Sequence, residues 1–123
     1  MFARNDSGDF MKTSIKKSIK QSKAIKFEVK DGRKTIGRAY LYIIKNDLHK
    51  KPYGLLEDLF VEEAYRKQGL GTKLLIKVIS EAKKRKLYKL IGTSRTSRMK
   101  AHKFYEKYGF KKYGYEFRMN LTK

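Results

Sequence analysis

The chain has 123 residues, of which 40% are hydrophobic and 36% are charged, which suits one domain with a hydrophobic core and is too short for two. Lysine and arginine outnumber aspartate and glutamate by 32 to 12, so the formal net charge is +20, and such a surface attracts phosphates and nucleic acid. The lack of cysteine excludes disulfides and thiolate chemistry. No apolar run is long enough to span a bilayer, and the start lacks the apolar core of a signal peptide. We therefore expect a cytoplasmic protein with no membrane partner.

The N-terminal part is predicted to be a basic arm over residues 1–24, followed by a folded domain over residues 25–123. The second half of the arm carries five lysines and no acid. Within it Met11, Ile15 and Ile19 recur at helical spacing. This part of the arm is therefore either a short basic helix or an unstructured segment.

Three strands are predicted next. Apolar and charged residues alternate from Ile25 to Val29, which is the pattern of a half-buried strand. Asp31-Gly32 is a strong hairpin turn signal. A second strand is predicted over residues 35–44 and a third over residues 55–61. Consecutive hairpins predict an antiparallel front half of the sheet.

The apolar period then changes to that of a helix. One stripe of six residues predicts its inner face: Leu70, Leu74, Leu75, Val78, Ile79 and Ala82. The pair Glu81 and Arg85, four residues apart, supports the helix. A fourth strand is predicted over residues 88–93, and a strand–helix–strand crossover predicts that it runs parallel to the third.

A second helix follows, with Thr96 or Ser97 as the predicted N-cap and Gly109 as its end. Its inner face is predicted to hold Ala101, Phe104, Tyr105 and Tyr108. The alternation from Tyr113 to Leu121 predicts a final strand. The order β-β-β-α-β-α-β predicts an α+β fold with a mixed sheet.

Between the third strand and the long helix lies a glycine loop: Arg66-Lys67-Gln68-Gly69-Leu70-Gly71-Thr72. A helix N-terminus presents free backbone N–H groups and a positive dipole end, and glycine lets a bulky anion approach. The loop therefore predicts a pyrophosphate site. The alternative is that the two glycines only make a tight turn, since the loop lacks the fingerprints of a P-loop or a dinucleotide site.

The stretch from Leu56 to Gly71 resembles the cofactor motif of the GCN5-related N-acetyltransferase (GNAT) family, in which a hydrophobic strand and a turn precede Arg-x-x-Gly-x-Gly. The stretch from Ala101 to Phe110 resembles the late helix of that family, which ends Tyr-Glu-Lys-x-Gly-Phe. The two motifs stand in the family's order, and the region from the start of the first to the end of the second spans about half the chain. The resemblance implies a GNAT-like fold and an N-acetyltransferase that uses acetyl-CoA.

The resemblance also implies residue roles. The strand end Leu59-Phe60-Val61 would splay from its neighbour and pair with the pantetheine arm of acetyl-CoA, and the amide of Val61 would polarise the thioester carbonyl. The loop from Arg66 to Thr72 would hold the pyrophosphate. Tyr105 would protonate the departing thiolate. No covalent enzyme intermediate is implied, which suits a chain without cysteine.

A base is also needed, because an amine acceptor with a pKa of roughly 10 must lose a proton before it attacks. If Leu55, Leu59 and Val61 share one face of their strand, Glu57 shares it too. We therefore favour Glu57 as the base, with Asp58 as the second choice. The sequence from residue 56 to 61 is similar to that of diamine and thialysine acetyltransferases, in which such acids face the cationic amine. The alternative is an ordinary salt bridge from Glu57 to a lysine.

Two features depart from the family pattern. Arg98 stands where many members have an asparagine. It would either reach a phosphate of CoA or reflect sequence drift without a role in the site. The family also places a strand and two helices before its second strand, so residues 1–24 imply a shortened N-terminal helical region. The acceptor side is then either open or completed by a second subunit, as in a homodimer.

Ordinary interpretations stay open. Tyr105 lies on an apolar stripe and suits a core position, and His102 and His49 lack the spacing of metal ligands, so no metal is expected. Lysine exceeds arginine by 24 to 8, which favours a solvated surface over specific nucleic-acid recognition. The alternative functions are a basic nucleic-acid- or ribosome-binding module on the retained fold and a non-catalytic acetyl-CoA-binding protein. The acceptor implied by the resemblance would be a small-molecule amine, such as a polyamine, an amino acid or an aminoglycoside, or else a protein lysine or N-terminus.

Overall fold

The computed structural model describes residues 3–122 as three strands, a helix, a strand and a second helix. In chain order these are β1 (Lys23–Asp31), β2 (Lys34–Ile44), β3 (Tyr53–Val61), a single 3-10 turn (Glu63–Tyr65), α1 (Leu70–Lys84), β4 (Leu90–Gly92) and α2 (Met99–Lys107). The elements from β1 to α2 confirm the predicted order. Residues 1, 2 and 123, at the outer ends of the two predicted units, lie outside the described part.

The four strands form one sheet in the order β1-β2-β3-β4. The β1–β2 and β2–β3 pairs are antiparallel, and the β3–β4 pair is parallel. The tight β1–β2 connection places Gly32 at φ 59°, where glycine carries no Cβ penalty. The predicted α+β fold with a mixed sheet is therefore confirmed.

Helix α1 lies on the sheet and completes the core. Its Leu74, Leu75, Val78 and Ala82 are buried against Ala39 and Leu41 of β2 and Leu56 of β3. Burying these apolar side chains is the main stabilising contribution. On the outer face Arg85 donates a hydrogen bond to Glu81 at 2.8 Å, as the spacing of the pair predicts. The apolar stripe therefore identified the buried face of α1 correctly.

The end of α2 agrees with the prediction, and its start does not. At its end Gly109 has φ 99°, the Phe110 amide donates to the Tyr105 carbonyl, and the Gly109 amide donates to the Glu106 carbonyl, which is the Schellman arrangement. At its start Arg98 is the N-cap residue, with no side-chain cap hydrogen bond. The predicted cap at Thr96 or Ser97 is therefore wrong, because the helix begins later than the polar run suggests.

Two segments outside these elements bear on the predictions, one near each end of the chain. The final strand predicted from Tyr113 to Leu121 is absent, and residues 111–122 run free of the sheet with every side chain exposed. A strand needs a neighbour to complete its backbone hydrogen bonds, and these residues have none within the described chain. Residues 11–22 form no helix, since Ile15 and Ile19 find no surface to pack on. In the described part of the chain, no helix has the length and apolar character needed to cross a bilayer.

Candidate active site

The parallel strands β3 and β4 diverge after a short paired stretch. Pairing runs from Gly54 with Leu90 to Leu56 with Gly92 and stops there. From Glu57 to Val61, β3 is paired with β2 on one side only, within the described residues. The backbone N–H and C=O groups on its other edge face the gap between the two strands, where an extended ligand could complete their hydrogen bonds.

A bulge in β3 lies at the start of this gap. The β2–β3 pairing jumps so that Asp58 and Leu59 together oppose Ala39, and Asp58 has φ 54°, in the left-handed region that non-glycine residues rarely adopt. The extra residue changes which side chains share a face. Leu59 and Val61 therefore pack on the core with Leu56, and the prediction that they share a face with Glu57 is wrong.

An ion pair fixes this bulge to the neighbouring strand. The Arg38 Nε donates to Asp58 Oδ2 at 2.7 Å and the Arg38 Nη2 donates to Asp58 Oδ1 at 3.0 Å. The same guanidinium lies 4.7 Å from the centre of the Phe60 ring. The hydrogen bonds from Arg38 lower the pKa of Asp58 below its ordinary value. Both carboxylate oxygens of Asp58 are therefore engaged by Arg38.

The glycine loop reaches α1 through two left-handed residues. Lys67 has φ 64° and Gly69 has φ 80°, and Gly69 is the N-cap of α1 with no side-chain cap hydrogen bond. The first turn of α1 contains no acidic residue. Its amide groups and the positive end of the helix dipole are therefore available to an anion.

Arg66 is held in place by the strand that precedes it. Its Nε donates to the Val61 carbonyl at 2.7 Å, and its guanidinium lies 5.3 Å from the Phe60 ring centre. The turn just before it is fixed as well, because the Tyr65 hydroxyl donates to Asp31 Oδ2 at 2.8 Å. That acceptor raises the pKa of Tyr65. The start of the loop is therefore tied through these side chains to the ends of β1 and β3.

A cavity of about 440 Å³ lies between β3, the glycine loop and α2. Every predicted cofactor residue except Gln68 lines it: Leu59, Phe60, Val61, Arg66, Lys67, Gly69, Leu70, Gly71, Thr72 and Arg98. Its basic lining residues are Arg66, Lys67, Arg98 and Lys100, and it has no acidic one. The arrangement is suited to a bound polyanion.

Six further lining residues were not predicted: Tyr65, Thr93, Ser94, Lys100, Ala101 and Phe104. Ser94 is the most informative, because its Oγ is buried and has no hydrogen-bond partner in the described structure. Such a group is costly unless a ligand or water pairs with it. Thr93 and Ser94 directly follow β4, and the rule that the carboxyl ends of parallel strands share one sheet edge could have indicated them.

A second cavity of about 170 Å³ adjoins the first. It is lined by Leu56, Glu57, Asp58, Leu59, Thr93, Arg98 and Tyr105, and the last three together with Leu59 also line the larger cavity. Glu57 forms no ion pair within residues 3–122. The predicted alternative, a lysine salt bridge to Glu57, is therefore not formed in the described chain.

Tyr105 stands where the two cavities meet. Its ring packs on Phe104 and Phe110 at centroid distances of 5.6 and 5.3 Å. Burial raises the pKa of its hydroxyl above the ordinary value, Arg98 acts in the opposite direction, and Glu57 adds to the rise. The two interpretations of Tyr105, as a core residue and as a site residue, are therefore compatible, because its ring is packed and the residue borders both cavities.

The described residues give no sign of a metal site. Residues 3–122 contain no group of three or more histidine, cysteine, aspartate or glutamate side chains that could hold a metal ion. The Nε2 of His102 lies 2.7 Å from the carbonyl oxygen of Arg95. His102 therefore has a local partner in the turn that precedes α2.

Comparison with known proteins places this geometry among acetyltransferases. The sequence profile of the acetyltransferase (GNAT) family matches residues 5–110. Among solved structures, a Trypanosoma brucei acetyltransferase is 30% identical with a TM-score of 0.64, over 71% of this chain and 60% of that one. A protein of Agrobacterium tumefaciens strain C58 named a putative acetyltransferase is 27% identical with a TM-score of 0.69, over 78% of this chain and 69% of that one.

A third structure, a predicted acetyltransferase of Clostridium acetobutylicum solved with acetyl-CoA, is 20% identical with a TM-score of 0.66, over 80% of this chain and 64% of that one. At that identity the likeness shows the fold alone. The chain spans less than two thirds of the length of two of these three relatives. Among curated proteins, no sequence matches this chain.

Proposed function

Because this chain belongs to the GNAT acetyltransferase family, we propose that it transfers the acetyl group of acetyl-CoA to a primary amine by direct attack. One observation carries the proposal: an acid-free basic cavity at the start of α1 meets, at Tyr105, a smaller cavity that contains Glu57. The first suits a polyanionic cofactor and the second suits a cationic acceptor.

The residues of the larger cavity fit acetyl-CoA in three respects. The first-turn amides of α1 with Arg66 and Lys67 would hold the pyrophosphate. The edge of β3 from Leu59 to Val61 that faces the gap would pair with the amides of the pantetheine arm, apart from the Val61 carbonyl, which accepts from Arg66. The unpaired Oγ of Ser94 would gain a hydrogen-bond partner. The Clostridium acetobutylicum relative, which has the same fold and was solved with acetyl-CoA, agrees with this proposal.

The acceptor would enter through the smaller cavity. Glu57 would take the proton that the ammonium must lose, either directly or through a water molecule. The amine nitrogen would then attack the acetyl carbonyl carbon, and the amide of Val61 would stabilise the negative charge on its oxygen. Asp58, which is occupied by Arg38, would keep the strand in shape without exchanging protons.

Tyr105 would complete the reaction as the carbon–sulfur bond breaks. The departing thiolate takes up a proton, and the thiol formed has a pKa of about 8.5. Because the pKa of Tyr105 is raised by burial, its hydroxyl stays protonated at neutral pH and can supply that proton. The protons balance, because the ammonium would lose one proton to Glu57, which releases it to solvent, and the nitrogen, positively charged after the attack, would lose a second, which replaces the proton that Tyr105 gives to the sulfur.

The acceptor class follows from a screen of CoA release read with a thiol reagent. The protein has no cysteine, so it adds no thiol background, and a reaction without acceptor accounts for its own lysines. The panel would hold spermidine, amino acids, aminoglycosides, lysine peptides and an acidic protein. We expect release with one class of amine and a loss of about 10²- to 10⁴-fold in kcat for Tyr105→Phe and for Glu57→Gln.

Matched controls separate chemistry from packing. Tyr108→Phe removes a hydroxyl from the C-cap residue of α2, outside both cavities, and Glu106→Gln removes an exposed carboxylate from α2 itself. Both should leave kcat within about twofold. Binding of acetyl-CoA without release would indicate a non-catalytic acetyl-CoA-binding protein. If acetyl-CoA neither binds nor reacts while nucleic acid binds with steep salt dependence, the basic module is the correct function.

A further inference from the structure

The smaller cavity holds two charged side chains of opposite sign that do not pair with each other. Glu57 lies on β3 and Arg98 is the N-cap residue of α2, and both line the cavity. Within residues 3–122 neither side chain forms an ion pair with any residue. The cavity therefore presents one negative and one positive group to a ligand.

The third charged residue of this cavity is already engaged. Asp58 accepts two hydrogen bonds from Arg38 of β2, at 2.7 and 3.0 Å. In the described part of the chain, Glu57 is thus the only carboxylate lining the smaller cavity that has no ion pair, and Arg98 is its only cation. A diamine would find one unpaired carboxylate for its two ammonium groups, whereas a ligand with one ammonium and one carboxylate would pair with both side chains.

Both charged groups act on Tyr105, which borders the two cavities. Burial makes the largest contribution to the raised pKa of its hydroxyl, the Arg98 charge lowers that pKa, and the Glu57 charge raises it. Charge effects of this kind weaken with distance, so both groups lie near the Tyr105 hydroxyl. A ligand held between Glu57 and Arg98 would therefore lie beside the place where the two cavities meet.

We infer, on the basis of the proposed acetyl transfer, that the acceptor is a free amino acid or an equally small amine that carries a carboxylate. Glu57 would receive the ammonium group, and the Arg98 guanidinium would hold the carboxylate through paired hydrogen bonds. The carboxylate takes no part in the bond changes. The nitrogen gains the acetyl group, CoA leaves as the thiol, and the product is the N-acetylated acid.

Size and charge both favour this acceptor. The smaller cavity has a volume of about 170 Å³, which is the volume of roughly six water molecules in the liquid. That space suits an amino acid and is too small for an aminoglycoside. An amino acid with an uncharged side chain is neutral overall near pH 7, so the formal charge of +20 on the chain does not repel it at long range, whereas it repels spermidine.

Paired acceptors test the carboxylate directly. Each amino acid of a panel would be compared with its own amide, which keeps the amine and the side chain but lacks the carboxylate, by CoA release read with a thiol reagent. The amine of the amide loses its proton more readily, because no neighbouring carboxylate stabilises the ammonium. On reactivity alone the amide would be the better acceptor. We expect the reverse, with kcat/KM higher for the acid by about tenfold or more.

Three variants assign the preference to Arg98. At saturating acetyl-CoA, Arg98→Gln should raise KM for the acid until acid and amide differ by less than about twofold. Arg95→Gln is the matched control and should keep the preference, since Arg95 also precedes α2 but lines neither cavity. Lys100 lines the larger cavity only, so Lys100→Gln should raise KM for acetyl-CoA and keep the preference as well.

The outcomes separate the acceptor class from the transfer itself. Release of CoA with equal kcat/KM for acids and amides, or with diamines or peptides alone, overturns the acceptor class and leaves the acetyl transfer standing. A preference for the acid that survives in Arg98→Gln, while KM for acetyl-CoA rises, shows that Arg98 serves the cofactor and also overturns the inference. No release with any amine overturns the acetyl transfer and the acceptor class together.

Discussion

The bulge at Asp58 allows the strain in β3 to be measured separately from its ion pair. Asp58 has φ 54° and is held by Arg38. Asp58→Ala and Asp58→Gly both remove the carboxylate, so the loss of the ion pair cancels between them. What remains is the backbone term: a left-handed residue with a Cβ costs about 1–2 kcal/mol, whereas glycine pays roughly 0.5–1 kcal/mol more conformational entropy than alanine on folding.

We therefore expect Asp58→Gly to be more stable than Asp58→Ala by about 0.5–1 kcal/mol. For a domain of this size that corresponds to roughly 2–6 °C in Tm. The assay is urea unfolding of both variants at pH 7, followed by circular dichroism and analysed at equal m-values.

A matched pair in an ordinary strand supplies the control. Lys26 lies in β1 opposite Tyr40, and there Lys26→Gly should be less stable than Lys26→Ala by about 0.5–1 kcal/mol, because a regular strand gives glycine no advantage. If the order of glycine and alanine is the same at both sites, the backbone at Asp58 is not strained and the reasoning about the bulge fails.

Three further predictions concern the core and the ion pair. Leu75→Ala, at a fully buried position of α1, should cost about 2–5 kcal/mol in urea unfolding, and a loss below about 1 kcal/mol would contradict the packing described. Gly54→Ala places a Cβ 2.9 Å from a methyl group of a buried leucine, so it should lower the free energy of unfolding by about 1–3 kcal/mol in the same assay. A variant as stable as the parent would show that β3 shifts to make room for the added methyl group. Because Arg38 lowers the folded-state pKa of Asp58, the pair stabilises the fold above the unfolded pKa of about 3.9 and loses that effect as the pH falls through the folded value. The stability gap between parent and Asp58→Asn should therefore close in acid, and a gap constant from pH 7 to pH 2.5 would refute the pair.

The local patterns of the sequence predicted most of the fold correctly. The stripe on α1 identified Leu74, Leu75 and Val78 as buried, and Asp31-Gly32 identified the hairpin between β1 and β2. These signals are reliable because helix period, strand period and turn chemistry act over a few neighbouring residues. A glycine loop between a strand and a helix likewise predicted the wall of the larger cavity.

The candidate site was only partly predictable, for a physical reason. Glu57 was favoured over Asp58 as the base by simple alternation along the strand, but the bulge inserts a residue that changes the faces along β3. Arg38, which occupies Asp58, comes from another strand. Ser94 was not predicted because its interest rests on a buried oxygen without a partner, which the sequence does not reveal.

The sequence by itself therefore determined the elements from β1 to α2, the buried face of α1 and the glycine loop at its start. Only the tertiary structure decided which carboxylate is engaged, where β3 leaves β4, and that the alternating residues 113–121 lack a neighbour. The physical reason is that a period reports how one segment can bury a face, whereas a hydrogen-bonded ladder or an ion pair depends on a partner distant in sequence.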